Sequence, residues 1–302
     1  MRYRPFGHSG RALSATGLRL PVAALRRNVS LARKLIETAL ENGVNTYHFD
    51  GLDLDFLKMA AQVFSVVERK VLFVSLTPDL PGVPGDLAGY AFPVLKEALR
   101  GVIKSSGLQW LDLLVFEQPG ATHLPADSFA FVQELKKARM LRYVGTTADT
   151  DDLGAAIEGR RFDTILTSFD IDSAWDKRHG IEKATHNDMT VIGTDYFPEL
   201  YRKASNVVPK KARGGWFSKP KDPLAGAGTH AFLHTTDDWT PEELCLAYAL
   251  SLPSLSCILI EADSPDKLEK LAEVPERHLP SSVPAQIEMA RFTDQLPKGA
   301  QR

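Results

Sequence analysis

A chain of 302 residues, 44% apolar and 25% charged, has the composition of an ordinary globular protein and is long enough to bury one large core. Thirty-six basic residues against 38 acidic ones leave a formal net charge of −2, so no overall field draws the chain to nucleic acid or to an anionic membrane. No apolar run approaches the ~20 residues that cross a bilayer, and the opening Met-Arg-Tyr-Arg-Pro-Phe-Gly lacks an apolar h-region, from which we expect a cytoplasmic protein. The two cysteines, Cys245 and Cys257, fall in a predicted helix and a predicted strand, where they serve as small packing residues rather than as a disulfide or a zinc site.

In chain order, the opening Tyr3 to Leu18 with Gly7, Gly10 and Gly17 reads as a β-hairpin, so that 1–20 stands outside the units that follow. From Ser30, a predicted cap, Ala32, Leu35, Ile36, Ala39 and Leu40 recur on one helical face, and Gly43 suits the left-handed position after it. Val44–Phe49 is the first predicted barrel strand. A second helical face, Leu57, Ala60, Ala61, Phe64 and Val67, leads to the strand Val71–Leu76. Pro93 opens the next helix, Gly107 closes it, and Leu111–Phe116 follows as a strand. Leu141–Gly145, Thr164–Phe169 and Thr190–Thr194 are three more. Residues 205–239 form a long Gly-, Pro- and Lys-rich loop, with Lys210, Lys211, Arg213, Lys219 and Lys221 around Trp216, an aromatic residue placed to close over a ligand. Thr240-Pro241-Glu242-Glu243 is a capping box, Cys257–Ile260 is the seventh strand and Val274–Leu279 the eighth. Apolar strands alternating with amphipathic helices predict a single (β/α)8 TIM barrel, one domain over 1–302.

Several strings along this frame resemble the aldo/keto reductase superfamily. They are Tyr3 to Leu18, Ala39-Leu-Glu-Asn-Gly-Val-Asn45, Leu111-Asp112-Leu113-Leu114 with Pro119, Leu141-Arg142-Tyr143-Val144-Gly145, Phe162-Asp163-Thr164, and Ser264-Pro265-Asp266-Lys267-Leu268-Glu269. Their shared order spans nearly the whole chain. The resemblance implies a barrel that reduces carbonyls by hydride transfer from NADP(H), with a tetrad of aspartate, tyrosine, lysine and histidine at the strand ends.

Carried onto this chain, that tetrad is not retained. Counting from Gly43-Val44-Asn45 puts His48 at the aspartate and Asp53 at the tyrosine; Leu76 stands for the lysine and Glu117 for the histidine. Starting the count at Asp50 gives Asp55, again no tyrosine, and Lys70 precedes its strand at the end of the barrel opposite the chemistry. A positioned acid contributes about 10²–10⁴-fold to such a reaction, and an ionised carboxylate repels the alkoxide it should protonate. The cofactor contacts that the resemblance implies thin out as well. Thr147-Ala148 stand at the nicotinamide-amide pair, Leu166 at a glutamine and Thr194 at the stacking aromatic; near the 2′-phosphate Lys267 stays basic, while Glu261, Ala262 and Leu271 replace polar or basic residues.

The strand ends instead collect His48, Asp50, Glu117, Asp170, Asp195, Glu261 and Asp263. Of these His48, Glu117 and Asp195 are competent ligands for a divalent cation, and Glu117 with Asp53 could split their pKa values as an acid/base pair. Capping of the following helices is the plainer role for such acids, and no HxH or HExxH spacing supports a metal, so none is expected. The other histidines, His123 among them, read as surface residues. The expectation is a catalytically degenerate barrel with a binding or regulatory role, a small molecule in its mouth and no confident cofactor. Two alternatives stay open: an NAD(P)H-dependent oxidoreductase with an atypical site that keeps Thr147 and Lys267 for its cofactor, and a non-redox enzyme using His48 and Glu117.

Overall fold

The computed structural model describes residues 1–80, 90–118, 120–198, 201, 232–234 and 236–295. Strands β1 (Tyr3–Pro5) and β2 (Ala12–Ser14) pair antiparallel as a hairpin. Eight parallel strands then close into a barrel: β3 (Thr16–Pro21), β4 (Thr46–Asp50), β5 (Phe73–Thr77), β6 (Leu111–Phe116), β7 (Leu141–Thr147), β8 (Thr164–Ser168), β9 (Thr190–Thr194) and β10 (Leu255–Ile260), with β10 returning to β3. Helices α1 (Val22–Leu25), α2 (Val29–Glu41), α3 (Leu54–Phe64), α4 (Phe92–Ser105), α5 (Ala126–Lys137), α6 (Thr150–Gly159), α7 (Trp175–His186), α8 (Pro241–Leu250), α9 (Pro265–Glu273) and α10 (Ser282–Gln295) run between and after them. The (β/α)8 TIM barrel with an N-terminal hairpin is therefore the observed fold.

The strand count shifts by one from the sequence expectation. The hairpin ends at Ser14, and Thr16–Pro21, most of which the sequence pattern groups with it in 1–20, is the first barrel strand, paired with β4 on one side and β10 on the other. Gly17, which reads as a turn residue, sits instead where strands crowd: a Cβ there would stand 3.0 Å from Cys257 Sγ, Leu259 Cδ2 and Thr46 Cγ2. Conversely, Val274–Leu279 is not a strand. Val274–Glu276 is a single 3₁₀ turn after α9, and its Val274 and Pro275 are buried as packing. Asn28, not Ser30, caps α2 by accepting from the Leu31 amide at 3.1 Å, while Gly43 takes the expected left-handed conformation at φ +77°. Thr240 makes the capping box with Glu243. The expected loop 205–239 falls mostly outside the described residues, Trp216 and its lysines included.

Strand alternation divides the core in two. Tyr47, Phe49, Val74, Leu76 and Leu114 face the helices, where Tyr47 lies 4.7 Å from the Phe64 ring. Phe73, Leu113, Val115, Leu166, Ile192, Cys257 and Leu259 fill the barrel, joined from below by Phe6 and Leu13 of the hairpin. The Phe6 ring is 4.8 Å from Phe73 and 4.7 Å from Tyr143, so the hairpin plugs the floor.

Near that floor Asp112 is fully buried against three arginines, with Arg69 at 2.9 Å, Arg142 at 3.2 Å and Arg11 at 3.5 Å. It also accepts from the Val74 amide and the Trp110 indole, and Arg69 and Arg142 both lie over the Trp110 ring. Removing the carboxylate strands the buried Arg69 guanidinium. Asp112→Ala is expected to cost about 3–5 kcal/mol in urea unfolding; a loss below about 1 kcal/mol, typical of exposed pairs, would show that the cluster is not a buried ion pair in solution.

Candidate active site at the barrel mouth

Strand alternation also decides what the open face presents. Inward positions at the strand ends carry Asp50 on β4, Thr77 on β5, Thr147 on β7, Ser168 on β8 and Thr194 on β9, with Glu117 just past β6. These residues line a cavity of about 600 Å³ together with Arg19, His48 and Asp195. The cavity lies where barrel enzymes place their chemistry.

Arg19 organises it. Projecting from β3, its guanidinium reaches Asp50 Oδ2 (Nε, 3.1 Å), Asp195 Oδ1 (3.4 Å) and Glu261 Oε1 (3.3 Å). It lines both this cavity and a smaller one of about 220 Å³ bounded by Glu242, Glu261, Asp263 and Lys267. One cation thus holds carboxylates from three places around the rim. Asp195 adopts φ +48°, a left-handed conformation unusual for a residue with a side chain.

His48 lies deeper, 3% exposed, with Nδ1 2.8 Å from Ser75 Oγ and Nε2 3.3 Å from Thr77 Oγ1. Burial pushes its pKa down to about 4; Asp50 works against that shift and Arg19 with it. The imidazole is therefore neutral at pH 7. Glu117 moves the other way: partial burial in the cavity wall raises its pKa, and repulsion from Asp50 and Asp79 adds to the rise, against Arg19. Of the groups in this wall it is the carboxyl best suited to hold a proton.

The other sequence candidates separate. Asp53 is not in the cavity: it caps α3, its Oδ1 accepting from the amides of Asp55 (3.1 Å) and Phe56 (3.0 Å). The pairing of Asp53 with Glu117 as acid and base is corrected accordingly. Leu76 faces the helix layer, and the inward residue at the end of its strand is Thr77, one position on. Leu271 is buried core and Asp170 ties its own loop to Ser173. Thr147, Leu166 and Thr194 do line the cavity, and His123, exposed as expected of a surface residue, borders it; the Thr147 hydroxyl accepts from the Gln118 amide at 3.0 Å. His48, Glu117 and Asp195 share the cavity, yet no group of three His, Cys, Asp or Glu among the described residues is placed to hold a metal. Sequence reasoning missed Arg19. Its signal was present: Leu18-Arg19-Leu20 alternates as a strand does, with a charge on the inner face.

Proton donors are few. No tyrosine or lysine lines the cavity among the described residues. The nearby Tyr90 hydroxyl accepts from the Glu117 amide at 3.0 Å, and burial pushes its pKa up to about 12, which makes it a reluctant acid. The set also fits a nicotinamide dinucleotide phosphate poorly. Around the smaller cavity Lys267 is paired with Glu242 at 3.0 Å and Arg19 with three carboxylates, so a phosphate there meets committed cations among Glu242, Glu261 and Asp263.

The fold has solved counterparts. The holo form of an aldo-keto reductase from Bacillus halodurans matches with 16% identity over 96% of each chain and a TM-score of 0.73. The apo form of the same protein matches at 0.67, again 16% identical over 96% of each chain. A Pseudomonas aeruginosa protein carrying the same family name is 12% identical, covering 90% of this chain and 93% of its own, at 0.62. No protein-family model and no curated protein matches the sequence. The fold is thus like that of solved aldo-keto reductases. No helix among the described residues is long and apolar enough to cross a membrane.

The buried imidazole makes stability depend on pH. Between its folded pKa of about 4 and the ordinary 6.5, the unfolded chain takes up a proton at His48 that the folded chain refuses. Stability therefore falls as pH drops from 6.5 to 4 and is fully present above 6.5, a contribution of up to about 3 kcal/mol. In urea titrations at several pH values, His48→Gln should show a shallower loss than the parent chain across this window. Identical slopes would mean that His48 titrates normally.

Proposed function

We propose that this barrel is a catalytically degenerate relative of the aldo/keto reductases, whose mouth binds a small molecule in a binding or regulatory role. The observation that carries the reading is the fate of the general-acid position. Asp53 stands where the resemblance implies a tyrosine, and its carboxylate is spent on the amides of α3, outside the cavity. Thr77 and Leu76 at the end of β5 supply no cation in place of the family lysine, and His48 is a neutral imidazole engaged by two hydroxyls. Hydride transfer to a carbonyl needs a proton delivered to the oxygen, and the mouth offers mostly repulsion to the charge that develops there.

Glu117 favours a second reading, a non-redox reaction in which it donates or accepts a proton beside His48. Both line one cavity, and the Glu117 carboxyl is raised toward useful acidity. The oxidoreductase alternative rests on likeness of fold, which does not settle chemistry.

Titration of the purified chain with NADPH and NADH separates these readings. No binding is expected up to cofactor concentrations of about 1 mM, and no reduction of aldehydes or quinones. Micromolar binding accompanied by turnover would overturn the degenerate assignment.

A further inference from the structure

Resting on the reading of the mouth as a binding site, we infer that its ligand is a compact hydroxylated organic cation, an amino alcohol in chemical class, held by the carboxylates and hydroxyls of the strand ends. Three observations converge on that class: the sign of the charge, the hydroxyls in the wall and the bar across the opening.

Among the described residues the 600 Å³ cavity is walled by five carboxylates, Asp50, Glu117, Asp149, Asp152 and Asp195, against the Arg19 guanidinium and, behind Ser168, the Lys177 ammonium 3.7 Å from Asp149. That guanidinium is already shared among Asp50, Asp195 and Glu261, and the imidazole beneath is neutral. An anionic ligand would have to take Arg19 from three carboxylates while facing the others. A cation faces Glu117 and Asp152 directly, in a partly enclosed site where charge is screened less than at a free surface. A bare metal ion is not what the wall is built for: among the described residues no three ligating side chains converge.

Hydroxyls specify the rest of the molecule. Thr147 Oγ1 accepts from the Gln118 amide, and Ser168 Oγ accepts from Lys177 Nζ at 2.7 Å. Each hydroxyl accepts there through one of its two lone pairs and still has its own proton to donate. The wall therefore offers hydroxyl donors beside carboxylate acceptors, a set that an ammonium alone would leave half used. A ligand carrying both N–H⁺ and hydroxyl oxygens satisfies both. Among the described residues the apolar part of the lining is Leu166 and Ala148, which argues against a lipid or aromatic occupant.

Arg19 sets the size. Its side chain bounds the larger cavity on one side and the smaller one on the other, so it stands as a bar between them. A long molecule would have to displace three ion pairs to pass. A compact one fits within the larger compartment.

A matched trio of probes tests the assignment: tris(hydroxymethyl)aminomethane, pentaerythritol and 2,2-bis(hydroxymethyl)propionate share one branched skeleton and are positive, neutral and negative at neutral pH. Binding is read by calorimetry and by thermal shift in an amine-free buffer. The amine is expected to bind with a Kd on the order of 1–10 mM, at least about tenfold tighter than the neutral probe, with no binding of the anion. At ten times its Kd it should raise the melting temperature by about 2 °C, and the affinity should fall as salt is added. Glu117→Gln, at an exposed rim position, should weaken the amine several-fold without lowering the melting temperature of the free protein. Equal binding of the three probes, preference for the neutral or anionic one, or no binding of the amine overturns the assignment. If the amine fails while NADPH also stays unbound, the ligand class alone is wrong; if NADPH binds and is turned over, the reading beneath it fails.

Discussion

The guanidinium of Arg19 is the contact on which the open end of this barrel depends. A strand-end cation that reaches Asp50, Asp195 and Glu261 ties the first, second, seventh and eighth staves of the barrel together at the rim. Without it, Asp50, Asp195 and Glu261 would face one another with no counter-charge, and like charges gathered in a partly enclosed space repel strongly. The same contact fixes the character of the cavity, because it consumes the positive charge best placed to greet an anion. Architecture and ligand preference thus follow from one side chain.

Around that contact the molecule separates support from chemistry. The floor is filled by Phe6 and Leu13 and braced by the buried Asp112 with its arginines. Above the apolar filling, the inner face turns polar in two steps: the Ser75, His48 and Thr77 chain first, then the ring of carboxylates and hydroxyls. The imidazole pinned between two hydroxyls is neutral and oriented, a fixed part of the wall. On a fold like that of solved aldo-keto reductases, the described residues of the mouth set carboxylates and hydroxyls around the Arg19 guanidinium.

Much of the fold was legible because each unit announces itself twice, by an apolar strand and by a capped amphipathic helix. Gly43 ended its helix as expected, and Thr240 with Glu243 formed the expected box. The count slipped by one strand where glycine has two meanings: Gly7 and Gly10 do lie at turns with positive φ, whereas Gly17 marks close approach of neighbouring strands. Val274–Leu279 misled in the opposite sense, since buried apolar residues in a short run fit a 3₁₀ turn as well as a strand. At the site, His48 and Glu117 were legible from position alone. Asp53 and Leu76 were not, because a cap and an outward-facing strand residue lie within one or two positions of the mouth, and period-two alternation reverses a side chain's direction at each step. Arg19 is not legible as a mouth residue because the glycines of Tyr3 to Leu18 make its strand read as part of the hairpin.

The excess of negative charge at the mouth is the claim that everything functional here requires, and Glu117 reports on it directly. Its side-chain carboxyl can be followed by carbon-detected NMR as pH is varied, in the parent chain at low and at high salt. The carboxyl, raised first by burial, should titrate above its ordinary 4.5, and the further rise owed to Asp50 and Asp79 should shrink as added salt screens them. A titration below 4.5, moving upward with salt, would mean that Arg19 dominates the cavity and that the mouth is built for an anion after all.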